Sequence, residues 1–577
     1  MSILTSLASA YDRLEDAPPV GYSLEKISFL IALNDAGEPV GLPHDLRDVS
    51  GKKPLPRPMA VPQGAKRSSG IAPNFLWDKT SYVLGVTGGM GKRVLGEHAA
   101  FVDFHREALA GIGDPGLIAL LRFLDGWSPE DFDRLGWPEE MKDQNVIFAL
   151  ESERLQNIHL HDRQAARDVW AKLQGGKKGA EQLCLVTGVR APVARLHPSI
   201  KGVWGAQTAG ASIVSFNLDA FTSYGHEQGD NAPVSEDAAF KYTTVLNRYL
   251  STDSGHRVQI GDTSTVFWAD ASHAPSAEEA EETFMAMFAE VDEEMQAGGV
   301  GEILEKIRKG RPLKDFAPEL AEGVRFCVLG LAPNAARLSV RFWFDDDFGV
   351  LARNYQRYVA DMRIEPAPKA ENPPIWRYLV ETAVLGKRDN IQPNLAGDWM
   401  RSILSGTNYP LTLMSTVLMR IRADGHINGF RAGLLKAVLV RNFKKEVPVA
   451  LDTANDDTAY VLGRLFAIME KMQNLALGKV NASIRDRYFG TASSAPRSVF
   501  PILLRLNLHH RSKAEKDGAS ARLAGYFAGQ MGEVMNLLPA RLPATLSLQA
   551  QGTFAIGYYH QMHFRNSEKT DSKDKSE

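Results

Sequence analysis

Glu365-Pro-Ala-Pro-Lys-Ala-Glu-Asn-Pro-Pro374 is the stretch that divides the chain into two patterns. Proline fixes φ and lacks a backbone N–H, so Pro366, Pro368, Pro373 and Pro374 together end whatever regular structure precedes them. Downstream the pattern is helical throughout, with apolar residues at helical spacing over 376–385, 411–422, 428–442, 458–477, 497–511 and 519–538. Upstream, both periods occur. Residues 337–344 alternate, placing Leu338, Val340, Phe342 and Phe344 on one side of a strand. The short apolar or β-branched runs 28–33, 183–187 and 211–216 predict further strands. Residues 117–173 read as mostly helical. Residues 278–296 form an amphipathic helix through Phe284, Met287, Phe288, Val291 and Met295, with Glu278, Glu279, Glu281, Glu282, Glu290, Asp292, Glu293 and Glu294 outside. The expected fold class is α+β: a mixed α/β N-terminal body over residues 1–375, followed by an all-α C-terminal helical bundle over 376–577. The polar tail 566–577 is expected to be disordered.

A chain of 577 residues exceeds one hydrophobic core and predicts about two to four domains. No apolar run approaches the roughly 20 residues of a membrane span. Asp12, Glu15 and Asp16 near the start argue against a secretory leader, and Ile3, Leu4, Leu7, Tyr11 and Leu14 fit the buried face of a first helix. Cys184 and Cys327 lack metal-ligand spacing and read as core thiols of a cytoplasmic protein. The net charge of −3 conceals a division. Residues 376–577 hold 27 Lys and Arg against 17 Asp and Glu, a balance of +10, whereas the preceding residues carry −13. That asymmetry points to a polyanion-binding region, although a basic half also suits an acidic protein partner or a solvated surface.

No catalytic constellation emerges. Gly85-Val-Thr-Gly-Gly-Met-Gly-Lys-Arg93 resembles a phosphate-binding loop, but Val86 stands where the first Gly is required and Arg93 where a metal-binding hydroxyl is required. His560-Gln-Met-His563 and His509-His510 lack the spacing and carboxylates of a metal site. No nucleophile elbow occurs, and neither Cys sits in an activating setting. Neither a cofactor nor a metal is expected, and the chain is read as a non-enzyme.

Several phrases resemble the large subunit of type I-C CRISPR interference (Cascade) surveillance complexes. They are Lys66-Arg-Ser-Ser-Gly-Ile-Ala-Pro-Asn-Phe-Leu-Trp-Asp78 with Tyr82-Val-Leu-Gly85, and Gly205-Ala-Gln-Thr-Ala-Gly-Ala-Ser-Ile-Val-Ser-Phe-Asn217 continuing to Tyr242-Thr-Thr244. Later come Leu329-Gly-Leu-Ala-Pro-Asn334, Arg337-Leu-Ser-Val-Arg-Phe-Trp343, Arg420-Ile-Arg-Ala-Asp424, Gly463-Arg-Leu-Phe466, Asp486-Arg-Tyr-Phe489 and Gly557-Tyr-Tyr-His-Gln561. They follow in order over nearly the whole chain. The resemblance implies a protein that recognises the PAM beside a target in double-stranded DNA, helps open the duplex and stabilises the R-loop. It implies as partners crRNA, target DNA, the backbone and crRNA-processing subunits, and a separately recruited helicase-nuclease that cuts. It also implies a small subunit made from an internal start in the same gene (Met469 is one in-frame possibility), corresponding to a helical bundle over about 460–565. Residues 1–375 then become the PAM-recognition and complex-anchoring region.

In that setting Lys66, Arg67, Ser68, Ser69 and Asn74 supply donors and acceptors beside Gly70, where a backbone can approach closely, and Lys79 follows as a phosphate contact. The alternative is a turn whose Ser and Asn cap a helix. Gly205, Gln207 and Thr208 form a second candidate loop, with Gln207 able to wedge under a base pair or read a minor-groove edge; the alternative is a surface turn. Arg505, His509 and Lys513, four apart, share one helical face opposite Val499, Leu503 and Leu506. With Arg420, Arg422, Arg431, Lys436, Lys479, Arg485 and Arg487 they could track the displaced strand through its phosphates, or face solvent or another subunit. Two rivals remain at this stage: a scaffold contacting only protein and RNA, and a metal-dependent enzyme acting on nucleic acid.

Overall fold

Phe29-Leu-Ile-Ala-Leu33 is a strand with no polar side chain, buried on both faces, and the N-terminal unit is built around it. The computed structural model describes residues 2–14, 17–49, 53–65, 67, 70–91, 93–175, 181–270, 274–289, 299–368, 373–478 and 480–564. Contacts divide the chain into two units, Met1–Ser199 with Val214–Leu246, and Ile200–Ile213 with Asn247–Glu577. The architecture is α+β, as the two periodicities require.

In the first unit, α1 (Ile3–Tyr11) is capped by the Ser2 hydroxyl and buries Ser6, Leu7, Ala10 and Tyr11. It is followed by β1 (Tyr22–Ile27), β2 (Phe29–Leu33), β3 (His44–Asp45), β4 (Arg57–Pro62), β5 (Trp77–Lys79), α2 (Val94–Ala108), α3 (Pro115–Gly126), β6 (Asn145–Leu150), α4 (Gln164–Gly175), β7 (Glu181–Leu183) and β8 (Arg190–Pro192). The main sheet has the order β3-β2-β6-β5, with β2 and β6 parallel and the outer pairs antiparallel. Phe29, Ile31, Leu33 and Phe148 pack with Phe101 of α2 and Leu120 and Phe123 of α3. Leu30, Ala32, Ile147 and Ala149 pack instead with Ile27 and Val61 of the antiparallel β1–β4 ribbon.

That two-sided burial explains one departure from expectation. Val146-Ile-Phe-Ala-Leu150 lies within the stretch read as mostly helical but is the central parallel strand β6. A continuous apolar run carries no period, so a doubly covered strand and a buried helix look alike in sequence. The run expected as a strand at 183–187 is paired only up to Leu183, and 211–216 makes isolated bridges at Ala211 and Ser212 rather than a strand.

The second unit opens with an antiparallel sheet, β9 (Arg257–Ile260), β10 (Thr263–Asp270), β11 (Arg325–Asn334) and β12 (Arg337–Asp347), in that spatial order. The alternating segment 337–344 is the core of β12. On the sheet lie α5 (Ala274–Phe288), α6 (Gly299–Arg308) and α7 (Phe348–Met362); Val291, Met295 and the acidic residues from Glu290 to Glu294 fall outside the described residues. The helical part comprises α8 (Pro393–Ser405), α9 (Leu411–Asp424), α10 (Gly429–Phe443), α11 (Thr458–Leu477), α12 (Ile484–Ala492), α13 (Pro496–Lys516), α14 (Ala521–Asn536) and α15 (Leu548–His563). The proline-rich stretch lies inside this unit, and Phe326 and Phe342 of the sheet share one continuous core with Trp399, Phe466 and Tyr558 of the helices. The helix expected over 376–385 ends at Leu379 and gives way to single 3-10 turns, Leu385 taking φ +58°.

Helix α15 carries no amphipathic pattern because Gly552 to Gln561 are buried without a break. It crosses α11 at backbone contact. A Cβ on Gly463 would overlap the carbonyl of Phe554, and one on Gly557 would overlap the carbonyl of Tyr460, both far inside the 3.0 Å limit of real Cβ contacts. The polar groups trapped by this crossing are paired: the Tyr460 hydroxyl lies 2.8 Å from His560 Nδ1, the Tyr558 hydroxyl donates to Glu470 at 2.7 Å, and Arg464 Nε donates to Gln561 at 3.0 Å. Alanine raises intrinsic helix stability by about 1 kcal/mol over glycine, whereas overpacking a tight contact costs about 1–3 kcal/mol. Gly463→Ala and Gly557→Ala should therefore lower the denaturation midpoint. Gly525→Ala in α14, where the space is open, should leave it unchanged or raise it.

Candidate nucleic-acid interface

The loop that precedes β5 is organised by one carboxylate. Asp78 is 1% exposed in its side chain and accepts the Asn74 N–H at 2.9 Å, its neighbour Lys79 N–H at 2.8 Å and the Arg67 guanidinium. Burial raises the Asp78 pKa, an effect opposed by Arg67 and by the two N–H groups. Arg67 also donates to the Ala72 carbonyl at 2.7 Å and lies 4.0 Å over the Tyr82 ring, so its planar head is oriented on three sides. Asn74 is buried, and its Oδ1 accepts the Ala65 N–H at 2.9 Å. The structure thus corrects the expectation of Asn74 as a groove contact: its amide closes the loop from inside. Lys79 and Gly70 are exposed, and Gly70 at φ +115° has nothing within 4 Å of where a Cβ would stand. Lys66, Ser68 and Ser69 lie outside the described residues.

Arg67, Gly70, Lys79 and Arg93 line a cleft of about 610 Å³, with Glu97 and Asp143 as its acidic members. The glycine-rich segment after Gly85 supplies the other wall. Thr87 Oγ1 donates to Asp143 at 2.7 Å and the Gly88 N–H to the same carboxylate at 3.1 Å. An internal carboxylate thereby engages groups that a phosphate-binding loop would turn toward its ligand. The sequence excludes nucleotide hydrolysis here but gives no sign of Arg93 as a third cation of the cleft. Behind the loop, Leu76 takes φ +63° and its N–H donates to His105 Nε2 at 2.9 Å. His105 is fully buried, and its Nδ1 meets the Phe101 carbonyl at 2.8 Å, which fixes the neutral tautomer with the proton on Nδ1.

In the second unit, Gly205, Gln207 and Thr208 belong to a ten-residue loop closed by reciprocal hydrogen bonds between Ile200 and Ala211 at 2.8 and 2.9 Å. All three are exposed. Gly202 takes φ +85° where a Cβ would press on the Leu250 carbonyl at 2.9 Å, so the loop's path requires glycine there.

The C-terminal cations separate into two groups. Arg505, His509 and Lys513 are all exposed along α13, opposite the buried Val499 and Leu503. Arg487 is exposed on α12, and Arg422 is exposed with its guanidinium on Gln551. The remainder are occupied. Arg431, 5% exposed, binds Glu381 at 3.0 Å and Asp424 at 2.6 Å; Arg420 also pairs with Asp424. Lys436 is buried with Nζ 3.1 Å from the Asp361 carbonyl, and Arg485 reaches Glu470 at 3.7 Å. The structure therefore corrects the expectation that Arg431 and Lys436 track a strand: both stabilise the interior. Lys479 lies outside the described residues.

A family model described as CRISPR-associated protein (Cas_Csd1) matches residues 7–565. The chain belongs to the Cas_Csd1 family. No curated protein matches it. Family membership makes it a CRISPR-associated subunit of the Cascade type. Within this Cas_Csd1 chain, the phrases around Gly463 and Gly557 are the two halves of the α11–α15 crossing, and the phrase ending in Asp78 is the carboxylate-centred loop.

Among the described residues no helix is long and apolar enough to cross a membrane. One group there has metal-ligating chemistry, His159, His161 and Asp162, which the sequence reading did not weigh. His159 Nδ1 and its backbone N–H both meet Asp162, at 2.8 and 3.1 Å, so the carboxylate caps a short 3-10 turn. His560 is likewise occupied, between the Tyr460 hydroxyl and the Val449 carbonyl at 3.1 Å.

Burial pushes the His105 pKa down to about 4 from its ordinary 6.5. The unfolded chain takes up this proton below pH 6.5 while the folded chain resists it, so the contribution is present above 6.5 and is lost as pH falls toward 4. Denaturation midpoints measured over that window should fall for the parent. They should fall less steeply for His105→Leu, which also starts lower at pH 7 because the Leu76 N–H loses its acceptor.

Proposed function

We propose that the chain is the large subunit of a type I-C crRNA-guided surveillance complex, recognising the PAM in target double-stranded DNA, helping to open the duplex and holding the R-loop. The observation that carries this reading is the cationic cleft beside the Arg67–Asp78 loop in a member of a CRISPR-associated family. Lys79 and Arg93 neutralise phosphates and set register, while the loop around Gly70 approaches base edges. Guide pairing reads the remaining sequence, so the protein needs to recognise only a short duplex. The exposed row Arg505, His509 and Lys513 binds the displaced strand through its backbone. The chain makes and breaks no bonds; a separately recruited helicase-nuclease does so. Its partners are crRNA, target DNA, the backbone and crRNA-processing subunits, and a small subunit from an internal start.

A second reading, a scaffold contacting only protein and RNA, is favoured by the interior placement of Asn74, Arg431 and Lys436. The two are separated in the assembled complex. Lys79→Ala and Arg93→Ala together should abolish the preference for PAM-bearing duplex while the complex still assembles; a retained preference supports the scaffold. Neutralising Arg505 and Lys513 should reduce the log–log salt slope of target binding by about 0.7 per lost single-strand contact. An unchanged slope removes both from the contact surface.

A further inference from the structure

Trp204 is 65% exposed in the loop that joins Ile200 to Ala211. It is the one large apolar side chain exposed in that loop, since Val203 beside it is buried. The backbone beneath the indole is held. The Trp204 N–H donates to the Ser264 hydroxyl at 3.0 Å, Gly202 lies against the Leu250 carbonyl, and Gly205 takes φ +75° beside Pro333.

The loop is also tied to the tip of the β11–β12 hairpin. The Ser212 N–H donates to the Ala336 carbonyl at 3.3 Å, and the Leu338 N–H donates to the Ser212 carbonyl at 2.9 Å. The two segments together present an indole with the side chains of Gln207, Thr208 and Asn334, all exposed, and with Lys201 and Arg337 in the same segments. A protein-docking aromatic normally sits within further apolar surface. A single large apolar side chain in a loop that also carries an amide and a hydroxyl, with a further amide and cations in the adjoining segments, matches the composition of a nucleobase platform, in which the ring stacks on a base and polar groups meet its edge or its phosphate.

We propose that Trp204 stacks on a nucleobase of the bound nucleic acid, with Gln207 and Asn334 at the base edge. The inference rests on the nucleic-acid-binding reading above and adds to it a residue and a mode of contact. A tryptophan held on a pre-set loop loses little conformational freedom on binding, and its flat face accepts any base. Stacking releases no counterions, which distinguishes it from every cationic contact assigned above.

The test uses the assembled complex carrying Trp204→Ala, Trp204→Phe or Lys79→Ala, titrated with target duplex at several salt concentrations. Trp204→Ala should weaken binding about five- to a hundred-fold with the salt slope unchanged, and Trp204→Phe should restore most of it. Lys79→Ala should weaken binding with a smaller slope. If Lys79→Ala weakens binding and Trp204→Ala does not, stacking is overturned and the interface reading survives. If neither weakens it, both fall. A Trp204→Ala chain that folds but fails to assemble places the indole against another subunit and also overturns the proposal.

Discussion

Taking the Asp78 carboxylate out of water is unfavourable unless charge and hydrogen bonds offset it, and here one guanidinium and two backbone N–H groups do so. The offset has a geometric consequence. Arg67 is drawn across Tyr82, the loop from Ala65 to Asn74 closes over its own amide, and Lys79 emerges beside the cleft at the end of β5. Removing the guanidinium would leave a buried charge uncompensated, so the same residue that orients the loop is needed to keep it folded. His105 supports this arrangement from behind through the Leu76 N–H, and it does so only while its imidazole is neutral.

The second unit depends on a different constraint. Gly463 and Gly557 let two helices meet at backbone distance, and the tyrosine, glutamate, arginine and glutamine side chains around them are hydrogen-bonded across the crossing. The core so formed runs without interruption from the sheet to α15. With the interior of this unit satisfied, α13 turns Arg505, His509 and Lys513 outward, whereas α10 buries Arg431 and Lys436. Cations that are alike in sequence thus divide according to whether a carboxylate or carbonyl lies within reach.

Much of the architecture was legible because amphipathic period survives wherever one face meets solvent. Helices α9 and α13 and strand β12, each with an exposed face, lie where their patterns place them, and so do α10 and α11, whose length marks them as helices although most of both is buried. Among the elements that escaped notice, β6 and α15 are buried on all sides, β6 with an unbroken apolar run that has no period and α15 with glycines that resemble a loop until their tight neighbours are known; α2, α7 and α8 and strands β10 and β11 were likewise not singled out. The candidate interface was legible as loops and charges but not as pairings. Sequence offered Asn74, Arg431 and Lys436 as polar candidates without revealing the partners that draw them inward. It offered no reason to single out Arg93, which becomes meaningful only across the cleft from Lys79, or Trp204, whose exposure no pattern predicts.

Short-motif recognition of DNA within a guided assembly is the role we propose for this chain. The most direct measurement compares the assembly with and without the chain, recording affinity for a guide-matched duplex bearing the PAM and for the same duplex with that motif scrambled. Clear discrimination is expected in its presence and a ratio near one in its absence. Equal discrimination by the assembly lacking this chain would contradict that role.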